Sequence, residues 1–147
     1  MSEPSFWGIA GYPVSHSLTP RLFVAVGRHL GIEGPQRVFL EAADIDEFEH
    51  RLAELDGDVW LSCTAPLKHA PQDRLGVTGP EGVNAINQLK RTQGEWTGTS
   101  TDGLGFVAAC RHIGIEPGGS VLRMRGGGSA ARAIAAAWAD AGGLLIP

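Results

Sequence analysis

The stretch that most constrains the fold of this 147-residue chain is Leu61-Ser62-Cys63-Thr64-Ala65-Pro66-Leu67-Lys68. It begins within an apolar run, residues 59–61, that has the composition of a short buried strand. Pro66 fixes its own φ angle and disfavours helical geometry at Ala65, so the strand must end here. In open α/β sheets ligands bind beyond the carboxyl ends of the strands, which places Lys68 where chemistry is expected. A solvated surface lysine is the alternative.

The first half of the chain alternates between strand and helix patterns. Strands are predicted at residues 6–11, 37–41 and 59–61. The helix between the first two is predicted to begin at Thr19-Pro20, as N-cap and first residue, and to end at Gly31. Its apolar residues at helical spacing, predicted to share one face, are Leu22, Phe23, Val26 and Leu30. The second helix begins at Asp44. This order predicts an α/β fold with a mainly parallel sheet flanked by helices.

The middle of the chain is less regular. Residues 69–80 are predicted to form a loop with one helical turn, and residues 83–89 to form a strand. A hairpin turn at residues 92–95 leads into a return strand at 96–99. Asp102 then opens a helix, either as its N-cap or as a functional carboxylate. The best domain boundary, Pro117-Gly118-Gly119, predicts one domain at residues 1–118 and the start of another at 119–147.

A glycine-rich turn follows this boundary. Gly126, Gly128 and Ala131 match the G-x-G-x-x-G/A spacing of a dinucleotide-binding turn, in which glycines let a pyrophosphate approach the N-terminus of a helix. A flexible linker is the rival interpretation. Arg123 and Arg125 count against the cofactor turn, because both point to the same side of a strand that should be buried on both faces.

Composition excludes several classes of function. The net charge is −4 with no basic cluster, which argues against nucleic acid as a partner. Cys63 and Cys110 lie far apart and suit a reducing compartment. The N-terminal residues lack a signal-peptide pattern, and the longest apolar helical stretch, residues 133–139, is too short to span a bilayer. We therefore expect a soluble, cytoplasmic protein without membrane contact and without a metal site.

Five segments, in order and in register, resemble the shikimate dehydrogenase family, including its quinate/shikimate relatives. The family's Ser-x-Ser or Ser-x-Thr motif is similar to Ser17-Leu18-Thr19, and its T-x-P-x-K motif matches Thr64 to Lys68. Val83-Asn84-Ala85 resembles a V-N-T element, with alanine in place of threonine. Ser100-Thr101-Asp102-Gly103 resembles N-T-D-G, with serine in place of asparagine. Gly126 to Ala130 is similar to the G-A-G-G-A cofactor turn.

The resemblance implies NAD(P)-dependent interconversion of 3-dehydroshikimate and shikimate, with quinate as a further candidate substrate. It implies a catalytic pair, Lys68 and Asp102, and a cofactor that is NADP or NAD. The implied substrate-binding residues are Ser17, Thr19, Thr64 and Asn84, and the implied cofactor-binding residues are Gly126, Gly127, Gly128, Ser129 and Ala130. Burial would lower the pKa of the lysine and an adjacent carboxylate would favour its charged form, and the sequence leaves open which effect dominates.

The chain departs from the family where a second nucleotide-domain strand begins, at residues 141–147. The resemblance implies roughly another hundred residues, so we expect a substrate domain followed by a truncated Rossmann-like unit, incomplete for catalysis. The uncovered strand edge of that unit favours self-association. The alternative function is a non-catalytic module, derived from the family, that binds a shikimate-like ligand or a partner chain.

Overall fold

The computed structural model describes residues 3–147, without the side chains of residues 70, 71 and 73, and divides into two compact units. The first unit comprises the chain up to Thr78 together with Ile86–Gly98, and the second comprises Gly79–Ala85 and Thr99–Pro147. Residues 1 and 2, which belong to the segment assessed for a signal peptide, lie outside the described residues. The boundary predicted at residues 117–119 stays a prediction, because grouping by packing does not test which segment binds substrate and which binds cofactor.

A five-stranded sheet with the order β2-β1-β3-β4-β5 forms the first unit. β1 pairs in parallel with both β2 and β3, whereas β4 is antiparallel to β3. This arrangement confirms the predicted α/β fold with a mainly parallel sheet. Its elements are β1 (Phe6–Gly11), α1 (Thr19–Leu30), β2 (Gln36–Glu41), α2 (Ile45–Ala53), β3 (Val59–Cys63), α3 (Ala70–Leu75), β4 (Gln88–Thr92) and β5 (Glu95–Thr99).

Helix α2 forms where its capping residues predict it. The side chain of Asp44 accepts a hydrogen bond from the backbone N–H of Glu47 at 2.9 Å, and Glu47 in return accepts from the N–H of Ala43 at 2.8 Å. These reciprocal bonds satisfy N–H groups that the first turn of a helix leaves unpaired. The apolar face of the helix buries Phe48 and Leu52 against the central sheet.

Helix α1 differs from its prediction at both its start and its buried face. Its N-cap is Leu18, so Thr19 is the first helical residue and its side chain makes no cap.

The predicted apolar face of α1 is mainly exposed. Of that set only Phe23 packs inward, stacked on Trp7 with ring centroids 5.7 Å apart. A Cβ on Gly27 would lie 2.2 Å from the Trp7 ring, so α1 packs against Trp7 through the bare backbone of Gly27. The exposed residues of the predicted face are Leu22 (62%), Val26 (56%) and Leu30 (64%). Gly31 ends the helix in the left-handed conformation, as predicted.

The strand predicted over residues 83–89 is wrong for residues 83–87, because β4 begins only at Gln88. Asn84 has a φ of +47°, which an extended strand cannot contain. The hairpin turn predicted at residues 92–95 is confirmed, with Gln93 and Gly94 in the left-handed region between β4 and β5.

The second unit contains α4 (Asp102–His112), β6 (Val121–Arg123), α5 (Ser129–Asp140) and β7 (Leu144–Ile146). β6 and β7 pair in parallel. α4 packs closely on α5, because a Cβ on Gly103 would lie only 2.0 Å from the carbonyl oxygen of Ala133. Phe106 and Trp138 meet across the same interface with ring centroids 6.0 Å apart. Among the described residues, no helix combines the length and the apolar character that crossing a bilayer requires.

Candidate active site

Two loops lie side by side at the carboxyl ends of β1 and β3 in the first unit. They are the β1–α1 loop (residues 12–18) and the β3 turn (residues 64–68). The N–H of Thr64 donates to the carbonyl oxygen of Ala10 at 2.9 Å, and the N–H of Tyr12 donates to that of Ala65 at 3.0 Å. These bonds continue the parallel pairing of β1 and β3 beyond the strands. The segments that carry Ser17, Thr64 and Lys68 therefore leave the sheet at the same edge.

Gly11 makes this close approach sterically permissible. It has a φ of +147°, and a Cβ at this position would lie 2.5 Å from Cγ2 of Thr64 and 2.8 Å from the carbonyl oxygen of Ala65. The peptide bonds Tyr12–Pro13 and Ala65–Pro66 are both cis, one in each loop. The positive φ of Gly11 and its close contacts with Thr64 and Ala65 thus require glycine where β1 passes the β3 turn.

The β1–α1 loop is held by its own hydrogen bonds and by one glutamate. The N–H of Ser17 donates to the carbonyl oxygen of Val14 at 2.9 Å, and Oγ of Ser17 accepts from the N–H of Thr19 at 3.2 Å. The N–H groups of Val14 and Ser15 both donate to Oε1 of Glu41, at 3.0 and 2.7 Å. Sequence reasoning missed Glu41, because a single acidic residue at a strand end carries no motif.

Lys68 ends the β3 turn and is half-buried. Its carbonyl oxygen accepts a hydrogen bond from the N–H of Ile86 at 2.7 Å, and the N–H of Leu67 donates to Thr64 at 2.8 Å. Burial raises the pKa of the neighbouring Cys63 thiol to about 12, and the positive charge of Lys68 acts in the opposite direction. The backbone of Lys68 is therefore held by a hydrogen bond, and its positive charge is close enough to the buried Cys63 thiol to act on the pKa of that thiol.

Asn84, in the second unit, is positioned by an arginine from α5. Nε of Arg132 donates to the carbonyl oxygen of Val83 at 3.0 Å, and Nη2 donates to that of Asn84 at 3.4 Å. Nη1 donates to the carbonyl oxygen of Gly127 at 3.0 Å. One guanidinium thus joins the loop that carries Asn84 to the glycine-rich turn. Sequence reasoning missed Arg132, although an arginine within an alanine-rich helix was the available signal.

Asp102 is half-buried and is the first residue of α4. Thr101 occupies the N-cap position, so the alternative that Asp102 caps the helix is wrong. A carboxylate in the first turn is stabilised by the partial positive charge of the helix N-terminus. The carboxylate of Asp102 therefore lies in the first turn of α4, one residue after the N-cap.

The glycine turn (residues 126–128) has the structural context that a dinucleotide turn requires, a strand before it and a helix after it. Gly126 has a φ of +110°, and a Cβ on any of the three glycines would meet no atom within 4 Å. Arg123, the last residue of β6, is exposed, so β6 is not buried on both faces, and Arg125 is exposed beyond the end of the strand. The open backbone at the N-terminus of the 12-residue helix α5 fits a pyrophosphate.

The second unit also contains a cavity of about 420 Å³ between α4 and α5. Its walls include the apolar side chains of Val83, Leu104, Val107 and Ala136, with Arg111 among the polar residues. None of the residues that the sequence singled out for catalysis, substrate or cofactor lines it. The cavity therefore does not coincide with the candidate site.

These features define a class of protein, an α/β protein that presents hydroxyl, ammonium and carboxylate groups at strand ends and carries a dinucleotide-type turn. Two curated relatives are named NADP⁺-dependent shikimate dehydrogenases. The chain is 35% identical to that of Xylella fastidiosa (strain M12) over 144 residues and 36% identical to that of Xanthomonas campestris pv. campestris (strain B100) over 149 residues. Each match covers 94% of this chain and 50% of the relative.

The solved structures agree. The Thermus thermophilus shikimate dehydrogenase, whose structure contains NADP(H) and shikimate, superposes with a TM-score of 0.76 at 26% identity, covering 95% of this chain and 53% of the other. No protein-family model matches the chain. The resemblance to the shikimate dehydrogenase family is thus confirmed, and the chain spans about half the length of the curated relatives that it matches.

Proposed function

We propose that the chain binds shikimate and 3-dehydroshikimate and forms the substrate side of an NADP-dependent shikimate dehydrogenase. The observation that carries this proposal is the placement of the β1–α1 loop beside the β3 turn, joined by the bond from the Tyr12 N–H to the Ala65 carbonyl. This bond sets the motif that contains Ser17 next to the motif that ends in Lys68. The similarity to relatives of that name supports the choice of reaction.

Each proposed role follows from the chemistry of a polyhydroxylated cyclohexene carboxylate. The hydroxyls of Ser17 and Thr19 donate to the substrate carboxylate. Thr64 and Asn84 provide directional partners for the ring hydroxyls. Lys68 and Asp102 exchange and hold the proton of the reacting hydroxyl, as an acid–base pair. Both side chains are half-buried, which limits competition from water while leaving them accessible to a ligand.

The cofactor side rests on the glycine turn. The backbone N–H groups of Ser129 and Ala130 lie at the start of α5 and would receive the pyrophosphate, with the three glycines allowing its close approach. A bound dinucleotide supplies the hydride acceptor or donor for the ring carbon. The names of the relatives favour NADP over NAD.

The test is an absorbance assay for NADP⁺ reduction with shikimate, run on the chain alone and on a chimera that adds the second half of the Xylella fastidiosa relative. A complete dinucleotide domain binds its cofactor across several strands, and the described residues of the second unit supply β6 and β7. We therefore expect turnover from the chimera and not from the chain alone. A chimera that folds and binds NADP⁺ but neither binds nor oxidises shikimate would contradict the proposal.

The remaining properties belong to the same proposal. A cytoplasmic location suits a biosynthetic enzyme with two free cysteines, Cys63 and Cys110. The net charge of −4 disfavours nucleic acid as a partner.

Self-association through the second unit is part of the proposal as well. Val121 and Leu144, in β6 and β7, are exposed at 55% and 65%, which supports it. Light scattering on the purified chain checks that last point. A non-catalytic binding module is the alternative, and the same chimera assay distinguishes it.

A further inference from the structure

We propose that Glu41 is a positioning residue for substrate binding, which holds the β1–α1 loop in the form that presents Ser17 and Thr19. This inference rests on the function proposed above, since it assigns the loop to the substrate. Glu41 lies outside all five motifs that carry the family resemblance. It is the last residue of β2, in register with Gly11 of β1, and the N–H of Ala42 donates to the carbonyl oxygen of Gly11 at 3.0 Å.

The contact between Glu41 and the loop is made by one oxygen and two consecutive backbone groups. Oε1 accepts from the N–H of Val14 at 3.0 Å and from the N–H of Ser15 at 2.7 Å. Hydrogen bonds to a carboxylate are shorter and stronger than bonds between neutral groups. Successive backbone N–H groups that converge on one point form an anion-binding concavity. Glu41 occupies this concavity with an anion from the protein itself.

The position fixed by Glu41 is transmitted to the proposed ligand hydroxyls through short links. Val14 is anchored on its other side as well, because its side chain is only 1% exposed. Its carbonyl oxygen accepts from the N–H of Ser17, and Oγ of Ser17 accepts from the N–H of Thr19. Without the Glu41 contact the loop therefore loses the interaction that fixes the positions of the Ser17 and Thr19 hydroxyls.

The second carboxylate oxygen of Glu41 has a different environment from the first. Oε2 is buried and has no hydrogen-bond partner among the described residues. Burying an acceptor without a donor costs free energy. The bonds that Oε1 accepts from Val14 and Ser15 offset that cost.

The contact with Glu41 also limits which groups of the loop can bind the substrate carboxylate. With the N–H groups of Val14 and Ser15 already paired to Glu41, a ligand carboxylate is left to the hydroxyls of Ser17 and Thr19. Removing the Glu41 carboxylate would expose two backbone donors to any small anion. The variant should therefore become sensitive to inorganic phosphate, whereas the wild-type chain should not.

The test compares Glu41→Ala and Glu41→Gln with a matched control, Glu47→Ala, in the 147-residue chain. Glu47 also accepts a backbone N–H, that of Ala43 at 2.8 Å, but outside the loop. Amide hydrogen exchange by NMR gives the order of the loop without any ligand. Shikimate titration, with and without inorganic phosphate, gives the effect on binding.

In Glu41→Ala we expect exchange at Val14 and Ser15 to be about tenfold faster or more, and the shikimate Kd to rise about ten- to hundredfold, the range for lost hydrogen bonds to a charged group. Glu41→Gln keeps an acceptor but loses the charge, so it should give an intermediate change in both, and Glu47→Ala should change neither. Added phosphate should weaken shikimate binding further only in Glu41→Ala.

Unchanged exchange at Val14 and Ser15 in Glu41→Ala would overturn the proposal, and so would a change equal to that of Glu47→Ala. If Glu41→Ala does not fold, Glu41→Gln decides, because its neutral acceptor should still give measurably faster exchange at the same two amides. A wild-type chain that does not bind shikimate would contradict the proposed function, while the exchange data would still decide the role of Glu41 in the loop.

Discussion

Nε of Arg132 lies 3.0 Å from the carbonyl oxygen of Val83 and donates a hydrogen bond to it. The same guanidinium reaches Gly127 through Nη1, at 3.0 Å. One side chain of α5 therefore holds both the residue before Asn84 and the middle of the glycine turn. Val83 and Gly127 are 44 positions apart in sequence, and Arg132 makes the positions of the two segments depend on each other within the second unit.

Replacing Arg132 by glutamine should loosen this connection. We expect the backbone amides of residues 83–85 and 126–128 to exchange faster, because a glutamine cannot reach all three carbonyl groups that the arginine contacts. Shikimate binding should weaken by a factor of roughly 5 to 30, corresponding to one or two lost hydrogen bonds. Arg123→Gln is the matched control, since Arg123 is exposed and its Nε donates to the carbonyl oxygen of Pro147 at 3.4 Å. Equal effects of the two substitutions would contradict this role.

Lys68→Ala should abolish most of the catalytic rate in the chimera with the Xylella fastidiosa second half. Loss of one general acid–base group lowers kcat by on the order of 10²–10⁴, with a smaller change in substrate binding. The control is Lys90→Ala, because Lys90 lies 5.5 Å from the ring centroid of Trp60 and away from the strand ends. An unchanged kcat in Lys68→Ala would return this residue to the class of surface lysines.

Gly11→Ala should destabilise the chain by about 2–3 kcal/mol, the scale of steric overlap combined with an unfavourable φ. The added Cβ would lie 2.5 Å from Cγ2 of Thr64, so the β3 turn must move. Gly31→Ala is the control, because Gly31 also has a positive φ, +74°, but a Cβ there meets no atom within 4 Å. Urea denaturation measures both variants. An equal loss of stability would mean that backbone conformation, and not contact with Thr64, makes Gly11 necessary.

Stability should decrease at alkaline pH because of Cys63. Burial raises the pKa of this thiol from 9.0 to about 12, so the folded chain keeps a proton that the unfolded chain releases. The stabilisation is complete below about pH 9 and is lost progressively as the pH rises from about 9 towards about 12. Thermal unfolding from pH 7 to 11 should show a shallower alkaline decline in Cys63→Ala than in the wild type. Cys110→Ala should keep the wild-type slope.

Local chemistry determined how much of the fold could be predicted. Asp44 and Gly31 act on their own neighbours, through a cap and a left-handed residue, and both predictions are confirmed. The conformation of Asn84 could not be predicted, because residues 83–89 have the composition of a strand. The positive φ of Asn84 interrupts that strand. The buried face of α1 depends on Gly27 fitting against Trp7, a contact that hydrophobic spacing does not report.

The candidate site divides in the same way. The motifs at Ser17, Thr64 and Lys68 are contiguous and could be identified from sequence, and the ends of β1 and β3 bring them to one edge of the sheet. Glu41 and Arg132 act through backbone groups 26 to 49 positions away, and such contacts leave no local pattern. The assignments of individual ligand-binding residues stay predictions that the following experiment addresses.

Titration of the isotope-labelled 147-residue chain with shikimate, followed by NMR, tests the central claim most directly. We predict saturable shifts at Ser17, Thr64 and Lys68, at the carboxyl ends of β1 and β3, and loss of those shifts when Ser17 and Thr64 are replaced by alanine. Absence of saturable shifts, or shifts confined to the opposite edge of the sheet around Phe6 and Val59, would contradict it.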